Sequence, residues 1–241
     1  MRKIIVTCSL IAWVLLLSTC TRSSHTQVFY FNYRFIGIRE GRTVKFYDTP
    51  DQKTWQYSAG KDFVSPDNFD EVFHFIGPYI GVRSGKTIKF YKTNKQGTWN
   101  YSAGKDFTST YNVDAVFPFG INSIGVRSGK TVKFYDTHKD GSWVPSAFKD
   151  FIIPTGVDGA FSPLANYIGI RQGKTIKFYA GGNNAAWTYI PGRDFTSADN
   201  IDEICYLNTG TMGVLNGRTL KFYTVNDTGK WTYSACKDFS F

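Results

Sequence analysis

The stretch Asp70–Thr110, DEVFHFIGPYIGVRSGKTIKFYKTNKQGTWNYSAGKDFTST, decides the fold. Two β-forming runs, Glu71-Val72-Phe73-His74-Phe75 and Tyr79-Ile80-Gly81-Val82-Arg83, are parted by a Gly-Pro pair. Ser84-Gly85 then turns the chain into Thr87-Ile88-Lys89-Phe90-Tyr91-Lys92. A polar loop, Thr93-Asn94-Lys95-Gln96-Gly97, leads to a fourth run, Trp99-Asn100-Tyr101-Ser102-Ala103. In the third run Ile88 and Phe90 fall on one side and Lys89 and Tyr91 on the other, the alternation of a half-buried strand. Nothing in the segment carries a helical period. The unit is a small four-stranded antiparallel sheet.

The same unit recurs five times at a spacing of 44 residues. Ile36-Gly37, Ile80-Gly81, Ile124-Gly125, Ile168-Gly169 and Met212-Gly213 keep register. So do Phe46, Phe90, Phe134, Phe178 and Phe222 inside Lys-Phe-Tyr triplets, and the Asp-Phe pairs beginning at Asp62, Asp106, Asp150, Asp194 and Asp238. Four-stranded units at such a period are propeller blades, which hide their edges by radial packing and cannot bury their apolar faces without neighbours. The expectation is an all-β, five-bladed β-propeller built from five 44-residue four-stranded repeats. It forms one domain over residues 27–241, with blades at about 27–69, 70–113, 114–157, 158–201 and 202–241. Gln27-Val28-Phe29-Tyr30-Phe31 supplies the first strand of blade 1, so each blade is expected to come from one contiguous repeat.

Residues 1–20 read as a secretory signal peptide: Arg2-Lys3 are its basic start, Ile4 to Leu17 its apolar run and Ser18-Thr19-Cys20 its cleavage site. Leu17-Ser18-Thr19-Cys20 also admits a bacterial lipoprotein reading, with Cys20 lipidated. A short lead, 21–26, follows, and no other apolar run is long enough to cross a bilayer. Cleavage lowers the formal charge from +9 to +7 and leaves Cys205 and Cys236, too few for a disulfide scaffold, so an apolar core must hold the domain. The cations are spread evenly, at Arg39, Arg83, Arg127 and Arg171 and at Lys45, Lys89, Lys133, Lys177 and Lys221. That is a solvated ring rather than a nucleic-acid stripe, so nucleic acid is not an expected partner. Asn100-Tyr101-Ser102 and Asn226-Asp227-Thr228 are N-glycosylation sequons.

Identity between repeats sorts the remaining residues. The Gly37, Gly41, Phe46 and Phe63 sets read as turns and inter-blade packing. The Lys/Arg-Asp pairs, Lys61-Asp62 and its equivalents, read as fasteners of the fourth strand, with Asp accepting backbone N–H bonds. Trp55, Trp99, Trp143, Trp187 and Trp231 admit two readings, because each follows a polar, variable loop. An indole beside amides and carboxylates suits a sugar ring, whose C–H face is apolar and whose hydroxyls need polar partners. The alternative is that the indoles cap the sheets.

In the order of these motifs the chain resembles the tachylectin-2 family, five-bladed propeller lectins of invertebrate innate immunity. The resemblance covers about residues 27–241: a Phe-rich first strand (Val72-Phe73-His74-Phe75), Tyr-Ile-Gly-Val, Lys-Phe-Tyr, a polar loop ending in Trp, and Ala103 shortly after Trp99. It implies binding of N-acetylated amino sugars, of the GlcNAc or GalNAc type, between adjacent blades. The implied site combines the loop before Trp of one blade with the link into the first strand of its neighbour. Matched position by position, it points to the five tryptophans with Asp51, Asp140, Asn184 and Asp227, and in the links to Asp67, Asn68, Ser109, Asn112, Asp199 and Asn200. The chain departs from the family in having Lys-Asp-Phe-Thr-Ser in place of a Gly-Gly-Trp link. The third repeat breaks pattern with Pro145, Phe148 and Ile152-Ile153-Pro154, so a site built on that link is expected to be dead.

Two rival readings stand beside the lectin. A glycosidase would need channel carboxylates, for which Glu71 and Glu203 on inner strands are the candidates. His25, His74 and His138 fall at unrelated repeat positions and give neither metal nor triad spacing, so no metal, cofactor or catalytic residue is assigned. An interaction subunit, such as the carbohydrate-binding half of a two-chain toxin, would use Cys205 or Cys236 in an internal disulfide or a link to a partner chain. The expectation is a secreted, non-enzymatic, multivalent lectin for glycans on microbial or cell surfaces.

Overall fold

The computed structural model describes residues 26–241 except 32–33, 51–53, 164–165, 209 and 235–237. The expected signal segment 1–20 with Cys20, most of the 21–26 lead, Asp51 and Cys236 therefore lie outside the described residues. Each repeat forms one antiparallel sheet in chain order, and the five sheets are the blades of a five-bladed propeller. Blade 2 shows the plan: an inner strand Glu71–His74, a second strand Tyr79–Ser84 and a third strand Thr87–Thr93. The fourth position differs from the single strand expected. Two short pieces, Trp99–Tyr101 and Phe107–Thr108, pair with opposite halves of the third strand, Tyr91 facing Tyr101 and Ile88 facing Phe107. A 3-10 turn, Ala103–Lys105, carries the chain between them. Blades 1 and 4 have the same turn at Ala59–Lys61 and Pro191–Arg193. Among the described residues no strand is exchanged between blades.

The second and third strands join through a hairpin whose glycine has a positive φ, +58° at Gly85, which only glycine adopts without strain. The carboxylate that fastens this hairpin belongs to the Asp70 set: Asp70, Asp114, Asp158 and Asp202 accept the N–H of Gly85, Gly129, Gly173 and Gly217 at 2.6–2.8 Å. The Asp62 set takes a different partner from the backbone N–H expected of it. The hydroxyls of Tyr57, Tyr101, Tyr189 and Tyr233 donate to Asp62, Asp106, Asp194 and Asp238, stapling the split outer strand across its turn. In blade 3, where Pro145 replaces the tyrosine, Asp150 pairs with Lys133 at 2.7 Å instead.

The core lies between blades, in five apolar clusters that each mix adjacent repeats. Its repeating joint is an indole of one blade laid on a phenylalanine of the blade before. Trp99 stacks on Phe46 (5.6 Å between centroids), Trp143 on Phe90 (5.6 Å), Trp187 on Phe134 (5.4 Å) and Trp231 on Phe178 (5.9 Å). Trp55 on Phe222 (6.0 Å) closes the ring. Arginines add a second joint: Arg39 donates to the carbonyls of Phe69 and Asp70, Arg83 to those of Val113 and Asp114, and Arg171 to those of Ile201 and Asp202. Blade 5 has Leu215 at that position.

The Gly37 set, read from sequence as turn or inter-blade packing, has a cause inside the blade. Phe73 of the inner strand lies across Gly81 of the second, and a Cβ there would sit 2.4 Å from its ring. The same contact joins Phe29 to Gly37, Phe117 to Gly125 and Phe161 to Gly169, while Cys205 takes the ring's place opposite Gly213. Among the described residues no helix is long and apolar enough to cross a membrane.

Candidate functional site

The indole joint settles where the loops before the tryptophans go. Four Trp ring N–H groups donate to a carbonyl of the preceding blade: Trp99 to Lys61, Trp143 to Lys105, Trp187 to Lys149 and Trp231 to Arg193, at 2.8–2.9 Å. The loop then lies flat on the neighbour's 3-10 turn. Gly97, Gly141 and Gly229 have φ of +90°, +90° and +84°, and a Cβ on them would meet the carbonyl oxygens of Gly60, Gly104 and Gly192 at 2.1, 1.9 and 2.4 Å.

Clefts open along two of these seams. Between blades 2 and 3 a cleft of about 520 Å³ has one wall of Gly104, Asp106, Phe107, Thr108, Ser109 and Thr110, and another of Tyr135, Asp140, Gly141, Ser142, Trp143 and Pro145. Between blades 4 and 5 a cleft of about 390 Å³ is lined by Gly192, Asp194, Phe195 and Thr196, facing Tyr223, Thr228, Gly229, Lys230, Trp231 and Tyr233. Gly104 corresponds to Gly192, Asp106 to Asp194, Thr108 to Thr196, Tyr135 to Tyr223 and Trp143 to Trp231. The two are the same site built twice.

The carboxylates of Asp106 and Asp194 each take one tyrosine hydroxyl, and that bond is the first cause that pushes Tyr101 and Tyr189 up to about 12. Their Oδ1 atoms, like that of Asp62, are buried with no partner among the described residues. Asp140 is exposed, and its Oδ1 accepts both the N–H and the hydroxyl of Ser142, at 2.9 and 2.7 Å, which holds its carboxyl below the usual range.

The seam between blades 3 and 4 is different. Phe148 stands where Gly60, Gly104 and Gly192 stand elsewhere, and its ring packs edge-on against Phe119 (4.9 Å) and stacks on Trp187 (6.1 Å). Ala185 replaces the docking glycine, and the loop is held by the N–H of Asn184 on the carbonyl of Ala147, at 3.0 Å. An aromatic side chain fills the space that the other seams leave beside the turn.

The sequence-derived residues divide accordingly. Trp143, Asp140 and Ser109 line the first cleft and Trp231 the second. Ser109 is buried and its hydroxyl accepts the N–H of Tyr111, at 3.0 Å. The link that meets a given tryptophan loop is the one entering that same blade, not the one leading on to the next. Asp67 and Asp199 sit apart in ion pairs with Lys89 (3.4 Å) and Lys221 (2.7 Å), and Asn68, Asn112 and Asn200 are exposed. Asp227 is exposed beside Asn226, whose Oδ1 accepts from Thr228 and Lys230. Asn100 is exposed on the outer strand. Tyr135, Tyr223, Asp106 and Asp194 line the clefts without having been singled out, because identity between repeats reads as packing when only sequence is seen.

Cys205 is a buried free thiol, pushed up to about 12 by burial, so its place is in the core rather than in a link to another chain. Glu71 accepts from Arg83 (2.9 Å) and from the N–H of Val116 (2.9 Å) in the next blade. Glu203, with Leu215 where Glu71 has Arg83 opposite, accepts among the described residues from its neighbour Ile204 (3.2 Å), and burial raises its carboxyl to about 7.

No family model and no curated protein matches the chain. Among solved structures it is similar to a functionally unknown protein from Desulfotomaculum acetoxidans, at 15% identity over 90% of this chain and 70% of that one, with a TM-score of 0.46. It is also similar to Kluyveromyces lactis Hsv2, at 13% identity over 86% and 71%, with a TM-score of 0.41. What the clefts can bind therefore rests on their own residues.

Proposed function

We propose that the protein is a secreted, non-enzymatic, multivalent lectin for N-acetylated amino sugars, of the kind that the tachylectin-2 resemblance implies for recognition of microbial or cell-surface glycans. The observation that carries this reading is the recurrence of one cleft at two seams, with the same aromatic wall and the same aspartate and threonine. A sugar needs an apolar surface for its C–H face and fixed acceptors and donors for its hydroxyls, and Tyr135, Trp143, Asp106 and Thr108 supply them at one rim. Shallow clefts of this size bind weakly one at a time. Fixed on one rigid ring, they gain about a hundredfold or more on a repeating glycan surface.

The test is a glycan array at two salt concentrations with residues 21–241 and with a Thr108→Trp/Thr196→Trp double variant that fills both clefts from exposed strand positions. Binding to N-acetylhexosamine glycans that survives salt and disappears in the filled variant supports the reading. Silence on every neutral glycan, or binding that the filled variant retains, sinks it.

A further inference from the structure

We propose that the two clefts distinguish the ionic form of an amino sugar: the one between blades 2 and 3 takes the protonated, de-N-acetylated sugar, and the one between blades 4 and 5 takes the neutral N-acetylated sugar. This rests on the lectin reading and deepens it. The walls agree at most positions and differ at three, where Asp140, Ser142 and Pro145 of the first cleft are Thr228, Lys230 and Tyr233 in the second.

The first cleft therefore holds two carboxylates and no cation in its lining. Asp140, exposed at the rim, gives Ser142 only its Oδ1, which leaves its Oδ2 for a ligand, while Asp106, whose Oδ2 takes the Tyr101 hydroxyl and whose Oδ1 is buried, adds negative charge behind the wall. Of the neighbouring cations, Lys133 pairs with Asp150 and Lys105 lies over the ring of Tyr79, while Lys139, exposed next to Asp140, stands outside the cleft lining. An ammonium group has three donors and no acceptor, so the Asp140 carboxylate and the Thr108 hydroxyl beside the rings of Tyr135 and Trp143 satisfy it by a charge-assisted hydrogen bond, a neutral one and cation–π attraction, with the Asp106 charge adding to the field.

In the second cleft Lys230 reverses the balance. Its ammonium repels a protonated amine and donates to an acceptor, which an acetamido carbonyl is and an ammonium is not. The Thr196 and Thr228 hydroxyls remain to accept from hydroxyl or amide N–H groups, and Tyr233 adds a ring where the first cleft has Pro145.

The experiment is titration calorimetry of the protein with a β-1,4-linked glucosamine trisaccharide and with its fully N-acetylated counterpart. It is run at about pH 5.5, well below the roughly 7.7–8 of an α-amino group, because the neighbouring oxygens lower a sugar amine further; there the amine is protonated and an exposed aspartate is ionised. Asp140→Asn should weaken the amine form by about threefold to tenfold and leave the N-acetylated form unchanged. Ser142→Lys, copying the second cleft into the first at an exposed position, should abolish amine binding, and Thr228→Asp combined with Lys230→Ser should create it at the second cleft. Amine binding that ignores both Asp140→Asn and Ser142→Lys overturns the inference. So does a protein that binds the N-acetylated form alone in every variant, an outcome that leaves the lectin reading standing. Binding of neither sugar removes both.

Discussion

At the residue scale, repeated glycines have unlike causes, and the structure separates them. Gly81 is needed because Phe73 occupies the space of its missing side chain, whereas a Cβ at Gly60 would meet nothing within 4 Å. Gly81→Ala should therefore cost about 1–3 kcal/mol by overpacking, and Gly60→Ala should stay within about 0.5 kcal/mol of the parent, both read from urea denaturation. Glu203 offers a second check. Its folded pKa of about 7 lies above its unfolded value, so the stabilising proton is fully in place below the unfolded pKa and is lost as pH rises through about 7. Glu203→Gln should gain in melting temperature over the parent as pH goes from about 5 to 8, with little difference at the acid end. A constant offset across that range would show that the carboxyl does not titrate there. His74 also titrates abnormally through burial but is common to both proteins and cancels in the comparison, whereas Glu71, whose charge helps raise Glu203, is relieved of that repulsion in the Gln variant, which works in the same direction.

At the element scale, the outer strand and the loop before each tryptophan do the joining. The third strand is long enough to pair with two short pieces, and the Tyr101–Asp106 bond spans the turn between them. Trp99 then spends one indole face on Phe46 and its ring N–H on the carbonyl of Lys61. Of the two readings open to these tryptophans, structural wedge describes what the rings touch, although Trp143 and Trp231 also contribute to cleft walls. Trp99→Ala should cost about 3–5 kcal/mol, visible in denaturant melts before any sugar is added. A melt within about 1 kcal/mol of the parent would contradict the wedge. Gly141→Ala should displace its loop, since its Cβ would fall 1.9 Å from the carbonyl oxygen of Gly104 at a φ of +90°. Loss of fluorescence change at Trp143 on binding, with the core intact, would report it.

At the scale of the whole molecule, the ring closes with the same joint it uses everywhere else, Trp55 on Phe222, and, among the described residues, without an exchanged strand. Five seams do not make five equal sites. Phe148 fills the seam between blades 3 and 4, so saturation with any cleft ligand should give at most four equivalents per chain, and Phe148→Gly with Ala185→Gly should add one. A stoichiometry of five in the parent would contradict the plug.

The broken third repeat was legible as Pro145, Phe148 and Ile152-Ile153-Pro154; that an aromatic ring would occupy the space was not, because its partners Phe119 and Trp187 lie in other parts of the chain. The 44-residue period and the alternation within each run determined the first three strands of each blade, the hairpin between the second and third, and the number of blades, since these depend on backbone geometry and on which residues are apolar over a few positions; the split of the outer strand about its 3-10 turn was not legible there. Tertiary structure alone decided which face each tryptophan spends on its neighbour, which link meets which loop, and which seams stay open. Those contacts join residues 38 positions apart, as Trp99 and Lys61 are, in different copies of nearly one sequence. A periodic pattern reads the same whichever neighbour a side chain turns toward, and only closing the ring makes the choice.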